Sequence, residues 1–168
     1  DYIARIHREV DRMTALMNDL LELSRLESGR LNLQYELVSP YLVVQQAVML
    51  IQERIDLQGT LLELESSEDI PDALGEKDRL IQALFNLIEN ALKYTGEDGK
   101  VTISTQVHDE SVVFRVTDTG AGITSQELTH VFERFYKVDR SRHTSGTGLG
   151  LAIVKHTARA HGGDVGIE

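Results

Sequence analysis

Apolar positions follow one helical period at the start of the chain and a mixture of periods after it. From residue 1 to about residue 29, Ile3, Ile6, Val10, Met13, Met17 and Leu20 recur at intervals of 3, 4, 3, 4 and 3, the a/d seam of a heptad. Leu16, Leu23 and Leu26 widen that seam toward the broader stripe of a helical bundle. Arg5, Arg8, Glu9, Asp11, Arg12, Asp19 and Glu22 make a solvated opposite face, and Gly29 stands where a helix C-cap belongs. About 28 residues of helix extend roughly 42 Å at about 1.5 Å per residue. One such helix cannot cover its own stripe. A partner helix or a second copy of the chain is implied, with packing back onto its own domain as the alternative.

From Arg30 onward the periods alternate. Leu31, Leu33, Tyr35 and Leu37 repeat every second residue, as in a half-buried strand. Ser39-Pro40 offers an N-cap and a first-turn proline for a helix over Tyr41 to Leu57, ended near Gly59. Thr60 to Glu65 predicts a strand, and Pro71-Asp72 punctuates an acidic loop. Asp78 to Tyr94 is a second helix, with Leu80, Ile81, Leu84, Leu87, Ile88 and Ala91 on one side. Lys100 to His108 and Ser111 to Thr117 read as strands joined at Asp109-Glu110. Ser125 to Phe135 predicts a short helix, and Leu149 to His161 a third long one ending at Gly162-Gly163. Asp164 to Glu168 reads as the start of a further strand. Helices intermixed with antiparallel hairpins predict an α+β fold, a two-layer α/β sandwich.

Charge narrows the function. Asp and Glu number 27 against 17 Lys and Arg, a net charge of −10. That argues against a general nucleic-acid binder, which needs a basic footprint to displace counterions. One anionic ligand held by a few local cations stays possible. The chain has no cysteine, which removes disulfides, thiolate zinc sites and cysteine nucleophiles. No apolar run approaches ~20 residues and no signal peptide opens the chain, so no membrane span is expected. A start at Asp1 and a stop mid-pattern at Glu168 suggest a piece of something larger.

Four clusters carry candidate chemistry. On the second helix, Asn86, Asn90 and Lys93 are spaced four and three apart and share a face. Two amide oxygens and an ammonium suit hydrated Mg²⁺ with a phosphate, although an ordinary polar face would look the same. Asp118-Thr119-Gly120-Ala121-Gly122-Ile123 follows a strand. A carboxylate there accepts from an exocyclic amine and the glycines admit a flat ring, but Asp/Gly turns are also common. Ser145-Gly146-Thr147-Gly148-Leu149-Gly150-Leu151 leads into a helix, where backbone N–H groups and the dipole favour an anion. It is neither a Walker loop nor a dinucleotide fingerprint, and it reads equally as phosphate cradle or flexible lid. Finally, Phe132-Glu133-Arg134-Phe135-Tyr136-Lys137, with Arg140, Arg142 and His143, forms a local basic segment, either a lid over polyphosphate or a solvated loop.

In this order the four clusters resemble the boxes of the catalytic ATP-binding domain of sensor histidine kinases, in the GHKL superfamily with gyrase and mismatch-repair ATPases. Asn86 to Tyr94 looks like the N box, Asp118 to Ile123 the first glycine box, Phe132 to Tyr136 the F box, and Gly146 to Gly150 the second glycine box. Residues 1–29 look like the second helix of the dimerisation and phosphoacceptor hairpin, and 30–168 like the catalytic domain, with its C-terminal strand expected to be truncated. The resemblance implies a Bergerat-type sandwich, a mixed sheet under about three helices. It implies that Asn90, supported by Asn86, holds Mg²⁺ on the ATP phosphates, that Lys93 touches phosphate and that Tyr94 lines the site. Asp118 would accept the adenine amine, with Gly120, Gly122 and Ile123 shaping the pocket. Tyr136 and Lys137 would reach the nucleotide from a lid, Lys137 standing where arginine is frequent. Gly146, Thr147, Gly148, Leu149 and Gly150 would wrap the phosphates.

Two departures qualify this. ATP-hydrolysing relatives carry a glutamate four residues before the Mg²⁺ asparagine, and here that position is Asn86, which implies slow hydrolysis and a phosphoryl group kept for another acceptor. None of the six histidines has the phosphoacceptor pattern. His7, followed by Arg8-Glu9-Val10-Asp11, is taken as a surface residue. The acceptor is expected upstream, on the first hairpin helix of the same kinase. The implied whole is a cytoplasmic portion of a two-component phosphoprotein and transferase, homodimeric, with a cognate response regulator. Any membrane contact would run through upstream segments, and no nucleic acid is involved. A degenerate, non-catalytic interaction module is the alternative function.

Overall fold

The computed structural model describes residues 2–27, 34–96, 98–137 and 146–168. Gly29, Leu31, Leu33, Arg140, Arg142, His143 and Ser145, all invoked above, lie outside the described residues. In chain order the elements are α1 (Tyr2–Glu27), β1 (Glu36–Val38), α2 (Pro40–Met49), α3 (Gln52–Gln58), β2 (Leu61–Glu65), β3 (Ala73–Gly75), α4 (Lys77–Tyr94), β4 (Lys100–His108), β5 (Ser111–Asp118), α5 (Ser125–Leu128) and α6 (Gly150–Ala160). They divide into two compact units, Leu33–Ile123 and Asp1–Asn32 with Thr124–Glu168.

In the unit Leu33–Ile123, the described strands make a mixed sheet of order β2-β4-β5 and a two-stranded ribbon β1-β3. β2 runs parallel to β4, Leu62 opposite Val101 and Leu64 opposite Ile103, so the chain between them crosses over through α4. β4 and β5 form the expected hairpin from Val101↔Asp118 to His108↔Ser111. Its turn has no glycine, and Asp109 takes the left-handed conformation instead, with φ of 53°. α2 and α4 cover the sheet, with Val43, Val44, Ile88 and Leu92 packed on Val101 and Ile103. This is the two-layer α/β arrangement expected from the alternating periods.

Ser39 caps α2 as expected, its Oγ accepting from the Leu42 N–H at 3.4 Å, with Pro40 in the first turn. The single helix predicted over Tyr41 to Leu57 is instead two. Ile51 leaves the helix at φ −119° and ψ 2°, its N–H bonds to Val48 three residues back, and α3 restarts on the Ile51 carbonyl. Val44, Val48, Ile51 and Ile55 are buried on both sides of the break, so the apolar period runs through it unchanged. The stretch read as an acidic loop ends in β3, which pairs Leu74 with Leu37 of β1; three residues are too few for a period-2 signal.

The other unit holds α1, α5 and α6. Leu23 of α1 is buried against Leu149, Ala152 and Ile153, with Leu16 at the edge of the cluster. The heptad seam itself, Ile3, Ile6, Val10, Met13, Met17 and Leu20, stays 50–66% exposed. The helix therefore packs back on its own unit through the widened part of its stripe and leaves the seam open. α5 is shorter than predicted. A capping box between Thr124 and Glu127 starts it, but turns replace the helix after Leu128, and Phe135 at φ 60° departs from helical backbone altogether. The strand expected at Asp164–Glu168 is not formed, because a strand exists only through a ladder partner and this segment has none among the described residues.

Candidate functional site

α4 is amphipathic, with Ile81, Leu84, Ile88, Ala91 and Leu92 buried. That burial turns Asn86, Asn90 and Lys93 to the opposite face, where each is half-buried. Gln82 Nε2 donates to Asn86 Oδ1 at 3.2 Å, which orients the amide. Lys93 Nζ lies 4.9 Å from the centre of the Tyr94 ring, a cation–π distance, in the last turn where the dipole favours a cation. The expected sharing of one face therefore holds for all three polar residues, with Tyr94 alongside.

The first glycine turn is pressed against the end of the same helix. A Cβ on Gly120 would lie 2.5 Å from the Tyr94 carbonyl oxygen and 2.7 Å from Asp118 Oδ1, so only glycine fits. Asp118 Oδ1 accepts the Gly120 N–H at 2.8 Å, which fixes the carboxylate at the end of β5. Gly122 differs: space around it is open, but its φ is 69°, a left-handed turn. Ile123 follows, half-buried. The end of α4 is held from a third side, because Gln58 of α3 donates to the carbonyl oxygens of Leu92 at 2.8 Å and Thr95 at 2.9 Å. Within one unit, then, an amide and ammonium face ends against a carboxylate-bearing glycine turn.

The other unit carries the remaining boxes. The Phe135 N–H donates to the Gly148 carbonyl at 2.9 Å. Gly148 has φ 76°, and a Cβ there would meet the Phe135 backbone at 3.0 Å, so the F box and the second glycine loop run backbone to backbone. Phe135 itself, 56% exposed with positive φ, stores strain of order 1–3 kcal/mol. The Tyr136 ring lies 5.6 Å from that of His130, tilted by 33°; His130 Nδ1 lies 2.8 Å from Glu133 Oε1, and Lys137 is half-buried. Leu149 is fully buried and Gly150 begins α6.

Sequence reasoning missed two residues here. Asp19, assigned above to a solvated face, is half-buried and accepts the Thr147 hydroxyl at 2.7 Å. Burial pushes its carboxyl above the ordinary value, and the Thr147 hydroxyl draws it back. Gln58 had no assignment. Both partners are distant in sequence, so no local spacing signals them.

No group of three His, Cys, Asp or Glu capable of holding a metal occurs among the described residues. The donors at hand are amide oxygens, which fit a hydrated Mg²⁺ that takes its other ligands from water and phosphate, not a metal held by protein alone.

The sheet packed against helices is the fold of an α/β ATPase domain. The family of histidine kinase-, DNA gyrase B-, and HSP90-like ATPases matches residues 75–168, and the chain belongs to it. Similar proteins include sensor histidine kinases. Sensor histidine kinase WalK of Bacillus subtilis is 38% identical over 165 residues, covering 94% of this chain and 26% of WalK. Full-length ShkA, solved in complex with AMPPNP, superposes with a TM-score of 0.82 at 31% identity over 96% of this chain and 34% of its own. Histidine kinase AdeS of Acinetobacter baumannii gives 0.77 at 29% identity over 94% of this chain and 72% of its own. The chain thus spans about a quarter of the length of WalK.

Proposed function

We propose that this chain is the ATP-binding catalytic part of a protein-histidine kinase, with residues 1–29 belonging to the dimerisation hairpin and 30–168 to the catalytic domain. The observation that carries it is the α4 face of Asn86, Asn90 and Lys93 ending against the Asp118–Gly120 turn. Asn90, supported by Asn86, would hold a Mg²⁺ that supplies charge neutralisation to the ATP phosphates, and Lys93 would neutralise phosphate charge beside it. Asp118 accepts the adenine amine beside Gly120, Gly122 and Ile123, with Tyr94 lining the pocket. Tyr136, Lys137 and Gly146 to Gly150 enclose the phosphates. In the reaction the bond from the β–γ bridging oxygen to the γ-phosphorus breaks, ADP leaves, and a bond forms to an imidazole nitrogen of a histidine outside this chain. An amide at Asn86, unlike a carboxylate, takes no proton from water, so the phosphoryl group is kept for that acceptor.

The parent protein is a cytoplasmic, homodimeric kinase that passes the phosphoryl group to a response-regulator aspartate. The test is calorimetric titration with a non-hydrolysable ATP analogue, with and without Mg²⁺. One site per chain, tightened by Mg²⁺, is expected, and Asn90→Ala should lose the Mg²⁺-dependent part while the fold survives. Folded protein that binds no nucleotide would replace this reading with a non-catalytic interaction module.

A further inference from the structure

Thr147 lies between Gly146 and Gly148 in the loop that leads into α6, and its hydroxyl proton is already committed. The hydroxyl donates to Asp19 Oδ2 at 2.7 Å and accepts the Leu149 N–H at 3.2 Å. A hydroxyl has one proton, so with that proton given to Asp19 none is left for an arriving phosphate oxygen. The carboxylate also stands beside the N-terminal end of an 11-residue helix, where the dipole favours negative charge. α1 is kept there by burial of Leu23 against Leu149, Ala152 and Ile153. The chain's own anion therefore takes the donor and the field that a phosphate in this loop would use.

We propose that Asp19 is a built-in competitor of the nucleotide phosphates: by capturing the Thr147 hydroxyl it weakens phosphate binding, and phosphate binding in turn loosens the hold of α1 on the second glycine loop. This rests on the reading of Gly146 to Gly150 as the phosphate-wrapping loop. Asp19 acts through Thr147 and so is a positioning residue. Reciprocity follows from linkage, since two ligands of one donor oppose each other equally in both directions.

The test compares a non-hydrolysable ATP analogue with adenosine, which has no phosphates, by calorimetry on the whole chain. Asp19→Ala should tighten the analogue roughly three- to tenfold, the scale of freeing one charge-assisted hydrogen bond partly remade with the ligand. Adenosine affinity should stay unchanged, a selectivity that loss of a merely structural contact would not give. Asp19→Asn keeps an acceptor for the hydroxyl and removes the charge. It should give a smaller gain in the same direction and carries the test if the alanine variant fails to fold. Unchanged or weaker analogue binding in both variants, or an equal gain for adenosine, would overturn the proposal. A wild-type chain that binds neither ligand would instead overturn the nucleotide reading, and this inference with it.

Discussion

Substituting Gly120 by alanine tests whether the first glycine turn is placed by contact with α4. The new Cβ would stand 2.5 Å from the Tyr94 carbonyl oxygen, 2.9 Å from its carbon and 2.7 Å from Asp118 Oδ1, against an ordinary contact of 3.4 Å. The turn must open by roughly 0.9 Å, the shortfall of an overpacked contact. The Tyr94 carbonyl belongs to helical backbone and gives little. Asp118 can swing away only by stretching its 2.8 Å bond from the Gly120 N–H. Overpacking of this kind costs about 1–3 kcal/mol, so the domain should fold with a lowered urea midpoint. The functional loss should be larger in proportion. Moving a recognition group by close to 1 Å is worth up to ~100-fold, and we expect ATP-analogue affinity to fall by between ~10- and ~100-fold. Two controls separate space from conformation. Gly96→Ala, with open space and no positive φ, should bind as the wild type. Gly122→Ala should lose about 1 kcal/mol of stability from left-handed strain, without displacing Asp118. A Gly120→Ala protein with wild-type stability and affinity would refute the reasoning.

Two further outcomes follow from the same geometry. Gln58→Ala leaves the Leu92 and Thr95 carbonyls without their amide donor and should cost about 1–3 kcal/mol by urea unfolding; an unchanged midpoint would show that water replaces the side chain at no cost. His156 on α6 is held below its ordinary value of 6.5, first by burial and then by the charges of Arg134, Arg159 and Lys155. The unfolded chain then binds more protons just below about pH 6.5, so the stability tied to neutral His156 is full above that pH and is lost as pH falls toward the lower folded value. Wild type should lose more stability than His156→Gln between about pH 7.5 and pH 5, and parallel curves would remove His156 from the account.

What the sequence made legible is what depends on neighbours within one turn or one strand. The face shared by Asn86, Asn90 and Lys93 needs only helical spacing, and the β4–β5 hairpin needs only alternation and a turn. The residues that went unseen work across the chain. Asp19 meets Thr147 across 128 residues, and Gln58 meets Leu92 and Thr95 across 34 and 37. Each looks locally like a polar position on an exposed helix face. β3 appears only as the partner of β1, and the break at Ile51 hides because the buried positions keep their period through it.

The first glycine box shows where the two kinds of information meet. Gly120 and Gly122 are indistinguishable as letters, and the resemblance gives them one role. Structure separates them: Gly120 is required because the Tyr94 carbonyl fills the place of a side chain, Gly122 because the chain turns left-handed in open space. The first requirement belongs to α4 as much as to the turn. A change that shifts the end of α4, including loss of the Gln58 amide that ties it down, should therefore be felt at Asp118, while a change at Gly122 should remain local.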